Sequence, residues 1–154
     1  MTEMIRFYVR PAGPRPDFRL VLAFVWGDAN CDTDGDSRPV SSREWTKLYA
    51  QNRSRPDEIF YVSPATTEPL VLEVKSELGW LAAVVAILLT ETTGGDLSNQ
   101  ICGPFFPSET LKSLIGSFNL AEAWKQFHAS PYQRATFANP YPNLESDSRL
   151  EQRM

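Results

Sequence analysis

From Trp80 to Leu89 the chain runs through ten consecutive apolar residues without one charged side chain. A helix that crosses a bilayer needs about 20 such residues, so this segment has to be hidden by the rest of the protein. Trp80, Leu81, Val84, Val85, Leu88 and Leu89 recur at helical spacing, which predicts a helix over Glu77–Thr92 with Trp80 on its core stripe. Gly94-Gly95 then supplies the usual C-terminal stop. A helix so apolar is buried on most sides, and the remaining segments must provide the surface that covers it.

That surface reads as a sheet. Ile5–Arg10 and Phe18–Trp26 are rich in Val, Phe, Tyr and Leu, and the prolines between them cannot donate to a ladder, so two strands joined by a Pro-rich hairpin are expected. Ile59–Val62 and Leu70–Lys75 repeat the signal, the second with strict alternation, around a proline-bounded turn over Ser63–Pro69. Ser41 and Glu44 have capping-box spacing, which predicts a helix carrying Trp45, Leu48 and Tyr49 to about Asn52. Asp96–Ile101 is a short strand candidate, and the turn Gly103–Pro107 exposes Phe105 and Phe106. Helical spacing returns from Ser108, with Leu111, Leu114, Ile115 and Phe118 on one face, and again over Leu120–Ala129.

The expected architecture is α+β: an antiparallel sheet of about four strands with helices on one face, followed by a helical C-terminal extension. With 154 residues and 42% hydrophobic content, one domain over residues 1–129 can bury a core, and residues 130–154 form a Pro-rich, partly flexible tail. Phe7-Tyr8-Val9-Arg10-Pro11-Ala12 matches Phe60-Tyr61-Val62-Ser63-Pro64-Ala65 at five of six positions. Either a β-β-α unit has been duplicated or a short aromatic strand ends twice in Pro-Ala by coincidence.

Charge and composition narrow the function classes. The net charge is −4 and no run of basic residues appears, which argues against nucleic acid as a partner. The first residues, Met-Thr-Glu-Met-Ile-Arg, show no basic-then-apolar leader, so a cytoplasmic location with free thiols and no membrane contact is expected. Asp28, Asp32, Asp34 and Asp36 place four carboxylates within nine residues, directly after Trp26. Asn30-x-Asp32-x-Asp34-Gly35 copies the first half of an EF-hand loop, but Ser41 stands where the bidentate Glu belongs. An acidic surface that meets a basic partner, with Trp26 as aromatic anchor, is the stronger reading, and no metal or cofactor is expected.

Catalytic equipment is sparse. His128 is the sole imidazole and reads as a helix-end residue. Cys102 has no base in sequence to activate it and reads as a buried, inert thiol; Cys31 shares no ligand spacing with it. Glu73, Glu77 and Glu91 could pair in a cleft, as could those of any acidic protein. Phe105, Phe106, Tyr132, Phe137 and Tyr141 fall in predicted loops and together suggest a contact surface.

The stretch Glu77-Leu-Gly-Trp80, Leu89-Thr-Glu-Thr-Thr-Gly94-Gly95 and Pro107-Ser108-Glu109-Thr-Leu111 resembles small α+β immunity proteins that neutralise secreted interbacterial toxins. The resemblance covers about a third of the chain and transfers no contact residue. It implies a non-catalytic, cytoplasmic, acidic protein that blocks a basic toxin by stoichiometric binding. A calcium-responsive module, or a structural or assembly protein of a phage or secretion apparatus, are the alternatives, and a small enzyme using Cys102 or His128 is a third.

Overall fold

A computed structural model of the chain describes residues 3–27, 31–39 and 41–109. The helices expected beyond Ser108, the tail over 130–154, Asp28, His128, Phe118, Tyr132, Phe137 and Tyr141 lie outside the described residues. Within them, the order is β1 (Ile5–Arg10), α1 (Phe18–Trp26), β2 (Cys31–Gly35), β3 (Leu48–Asn52), β4 (Arg55–Thr67), β5 (Leu70–Ser76), α2 (Gly79–Thr93) and β6 (Asp96–Ser98). The strands form one six-stranded sheet in the order β2-β3-β4-β5-β1-β6. Every neighbouring pair is antiparallel.

The α+β class and the antiparallel sheet agree with the sequence, and β1, β4, β5 and α2 fall where expected. Three segments do not. Phe18–Trp26 is a helix rather than a strand. Its start is fixed by Asp17, whose carboxylate accepts from the Arg19 backbone N–H at 3.0 Å, and its end by Gly27, whose N–H reaches the Ala23 carbonyl. Eight apolar residues broken only by Arg19 satisfy either periodicity, and the caps decide.

The capping box at Ser41 forms no helix either. The Arg15 guanidinium donates to the Trp45 carbonyl at 2.8 Å, the Trp45 indole donates to the Pro16 carbonyl at 2.7 Å, and Arg43 donates to the Arg15 carbonyl at 2.9 Å. These ties hold residues 43–45 extended beside 15–16, and β3 follows with Leu48, Ala50 and Asn52 facing inward. The third correction is the acidic segment, which is not a loop throughout: Cys31–Gly35 is the edge strand β2. A side chain at Gly35 would place its Cβ 2.3 Å from the Lys47 carbonyl oxygen, so only glycine lets β2 close on β3 there.

β4 also outruns its predicted length and passes straight through Pro64. Its pairing with β3 ends at Val62, so the proline's missing donor faces no partner strand on that side, and a register shift near Ala65 absorbs the irregularity. The proposed β-β-α duplication fails with α1, because the first unit is β-α and only the second is β-β-α. The repeated Phe-Tyr-Val has a simpler basis: in both β1 and β4 the Phe and Val turn toward the helices and the Tyr turns away.

α1 and α2 lie on one face of the sheet, α2 against β1, β4, β5 and β6, and α1 against α2 and β3. Val9, Phe60, Val62, Leu72 and Val74 from the strands meet Val21 of α1 and Leu81, Val85, Leu88 and Leu89 of α2 in one core, closed at one end by Trp45. Thr90 and Thr93, buried in α2, return their hydroxyls to the carbonyls of Ala86 and Leu89. Gly94, with φ 71°, ends the helix in the left-handed conformation the sequence implied. Trp80 departs from expectation: it sits in the first turn and is 47% exposed instead of lying in the core.

Candidate functional site

The side of the sheet opposite the helices carries no helix among the described residues and is open except at its β6 end, where Ser98 is fully buried. Strand alternation sends every second residue there, and antiparallel register aligns them into rows. One row crosses five strands without a gap: Asp34 of β2 stands beside Tyr49 of β3, Tyr49 beside Tyr61 of β4, Tyr61 beside Lys75 of β5, and Lys75 beside Arg6 of β1. The rings of Tyr49 and Tyr61 lie 5.3 Å apart at 48°, and the Lys75 ammonium sits 5.6 Å from the Tyr61 centroid. A parallel row sets Ser63, Glu73, Tyr8 and Ser98 side by side.

Glu73 lies 3.8 Å from both Arg6 and Lys75 and accepts a hydrogen bond from Tyr8. Burial first, and then the Glu73 charge, raise the Tyr8 phenol above its ordinary value, while Arg6 pulls the other way. The tyrosines of this face are half-buried, with their rings available for contact. A shallow depression of about 480 Å³ runs between Asp34, Lys47, Tyr49, Tyr61, Ser63 and Lys75.

The residues singled out by sequence have separate fates. Asp32 and Asp34 both point to this open face at its β2 edge. Asp32 pairs with Arg53 at 2.5 Å, both side chains about half exposed, and Asp34 accepts from the Gly35 N–H at 2.9 Å. Asp36 is tied into the structure: it accepts from the Thr46 N–H at 2.9 Å, the Thr46 hydroxyl at 2.8 Å and the Lys47 N–H at 2.9 Å. Partial burial pushes its carboxyl up, but those hydrogen bonds outweigh it and leave the pKa below the usual carboxylate value.

Trp26 lies at the end of α1 on the helix side. Its indole donates to the buried Glu58 carboxylate at 2.8 Å and its ring packs 5.6 Å from Phe60. The indole thereby pins α1 to β4 and satisfies one oxygen of a buried carboxylate whose other oxygen meets Arg55 at 3.4 Å.

Strand geometry also bears on calcium. In β2 the side chains of Asp32 and Asp34 stand side by side along an extended backbone rather than converging on a point, and a coordinating loop needs convergence. Among the described residues, no group of three or more His, Cys, Asp or Glu is close enough to hold a metal ion.

Cys102 is exposed, contrary to its expected burial, because the turn after β6 carries it outward. Cys31 is half-buried, and burial followed by the neighbouring Asp32 charge pushes its thiol up to about 11, so it stays protonated at neutral pH. Glu73, Glu77 and Glu91 share no cleft: the first two lie four residues apart along β5 and beyond, and Glu91 accepts from the Ser108 hydroxyl off the last turn of α2. Phe105 and Phe106 are half-buried, not exposed. Phe105 lies under the Arg10 guanidinium at 4.3 Å, and Phe106 bridges to Leu97 and packs on the core.

Tyr8, Tyr49, Tyr61 and Lys75 were not evident as a group in the sequence. The signal was there in part, since each occupies the outward position of an alternating strand. What joins them is register, which sets residues as distant in sequence as Arg6 and Lys75, or Tyr8 and Glu73, side by side and is fixed by the whole sheet. No protein-family model matches this chain, and no curated protein or solved structure matches it.

Proposed function

We propose that this chain is a non-catalytic binding protein that holds a basic protein partner against the open face of its sheet. The observation that carries this reading is the row from Asp34 through Tyr49 and Tyr61 to Lys75 and Arg6. Rigid strands present paired aromatic rings at its centre, and tyrosine supplies large contact area at low cost in side-chain entropy. Asp32 and Asp34 flank the rings, so a basic surface is steered toward them. The exposed Asp32–Arg53 pair contributes little to folding, which leaves Asp32 free to exchange partners. Trp26 and Asp36 serve the same site from behind by fixing α1 on β4 and β2 on β3, and Asp28 enters through its charge.

The resemblance to immunity proteins makes the partner a bacterial toxin, neutralised one to one in the cytoplasm by occlusion. Co-purification with the product of the neighbouring gene, followed by light scattering of the complex, tests this. The expected result is a 1:1 complex whose affinity falls at least about tenfold in Tyr61→Ala, the size of a modest hot-spot loss. A neighbour unrelated to toxins that forms no complex overturns the reading.

A further inference from the structure

Beside the tyrosine row the open face dips into a second, tighter cavity of about 100 Å³, lined by Met4, Asp57, Ile59, Tyr61 and Glu77. Met4, just ahead of β1, and Ile59 of β4 are half-buried, and with the flank of the Tyr61 ring they give it apolar walls. Asp57 and Glu77 are exposed, and neither has an ion-pair partner among the described residues. Glu73, on the same face, is by contrast already flanked by Arg6 and Lys75.

We propose that this cavity receives one lysine or arginine side chain of the partner protein, an inference that rests on the binding reading above and names its anchor. The match is to both halves of such a side chain. Its methylene stem fits the Met4 and Ile59 walls, and its cationic head falls between two carboxylates and beside an aromatic ring. A hydrated metal ion would gain nothing from the apolar walls, and a neutral apolar side chain would leave both carboxylates without a counter-charge. At about 100 Å³ the cavity is well below the size of ordinary small-molecule sites and suits a single side chain. The molecule already uses this chemistry on the same ring, where Lys75 approaches Tyr61.

The test needs no identified partner. The full chain, labelled with ¹⁵N, is titrated with acetyl-arginine amide, acetyl-lysine amide and, as an uncharged isostere, acetyl-citrulline amide. Saturable amide shifts centred on Ile59, Tyr61 and Glu77 are expected with arginine or lysine and not with citrulline. The double variant Asp57→Asn/Glu77→Gln, at two exposed positions outside the core, should weaken binding by at least about fivefold. Equal shifts with citrulline, no shifts, or shifts spread over Asp32, Asp34 and Asp96 that survive the double variant overturn the proposal. A partner complex indifferent to the double variant also overturns the anchor while the binding reading stands. A basic amide bound in the cavity of a chain that captures no protein partner does the reverse.

Discussion

Phe60 and Tyr61 are neighbours in sequence with opposite tasks. Phe60 is fully buried between the sheet and the helices, whereas Tyr61 stands half-open on the other face, touched by one tyrosine and one lysine. The same contrast runs through the sheet: its helix face is mostly Val, Leu, Phe and Ala, with Asn52, Glu58 and Ser76 hydrogen-bonded within it, and its open face is mostly Tyr, Asp, Glu, Lys and Arg. A one-sided antiparallel sheet needs apolar residues on the covered side only. The open side is therefore where residue choice answers to something other than folding.

Substitutions that separate the two faces should fall in a graded order. Phe60→Ala removes a ring from the core and should cost about 3–5 kcal/mol in denaturant unfolding, enough to unfold a marginal domain. A loss below about 1 kcal/mol would mean the core is not built around that ring. Trp26→Phe comes next. It keeps the ring contact with Phe60 but deprives the buried Glu58 of its indole donor, so about 1–3 kcal/mol should be lost, and a further Glu58→Gln should return part of it.

Asp36→Ala should cost about 1 kcal/mol at neutral pH through its lost hydrogen bonds. The folded pKa of Asp36 is depressed, so its contribution is present above the unfolded value of about 3.9 and disappears as pH falls through the folded one. Unfolding curves of wild type and variant should therefore start to approach each other near pH 4 and meet only once pH is below the folded pKa. A gap that persists there would place the effect in packing rather than charge. Smallest of all, Asp32→Asn should change stability by under about 0.5 kcal/mol, since an exposed ion pair is all that it loses. Its effect belongs to the association rate with a basic partner, which should fall and become less salt-dependent. A large stability change at Asp32 would move that residue from the contact class to the structural one.

How far the sequence disclosed this arrangement depends on how local each cause is. α2 was legible because its apolar run is long and Gly94-Gly95 is an unambiguous stop. β5 was legible because Leu70, Leu72 and Val74 alternate cleanly. α1 was not: Phe18–Trp26 is rich in strand-favouring Val and Phe, and the deciding residues are Asp17 and Gly27 just outside it. β3 was misread because Trp45, Leu48 and Tyr49 happen to fall at helical spacing, while the force that keeps the segment extended comes from Arg15 and Pro16, some thirty residues away. Acidic residues are poor strand formers, and β2 is a strand only because β3 offers an edge and Gly35 permits close approach. The charge of the candidate site could be read directly from Asp32, Asp34 and Asp36. Its aromatic half could not, because Tyr49 and Tyr61 become neighbours only once two strands are in register.

The reciprocal bonds that tie Arg15 and Pro16 to Arg43 and Trp45 have one more implication. They fasten both ends of the excursion that carries α1 and β2, so that stretch is a closed ring in space though open along the backbone. A cut inside it, between Gly27 and Cys31, would leave two fragments still buckled together, and extra residues spliced in at that point would lengthen the ring without loosening the buckle.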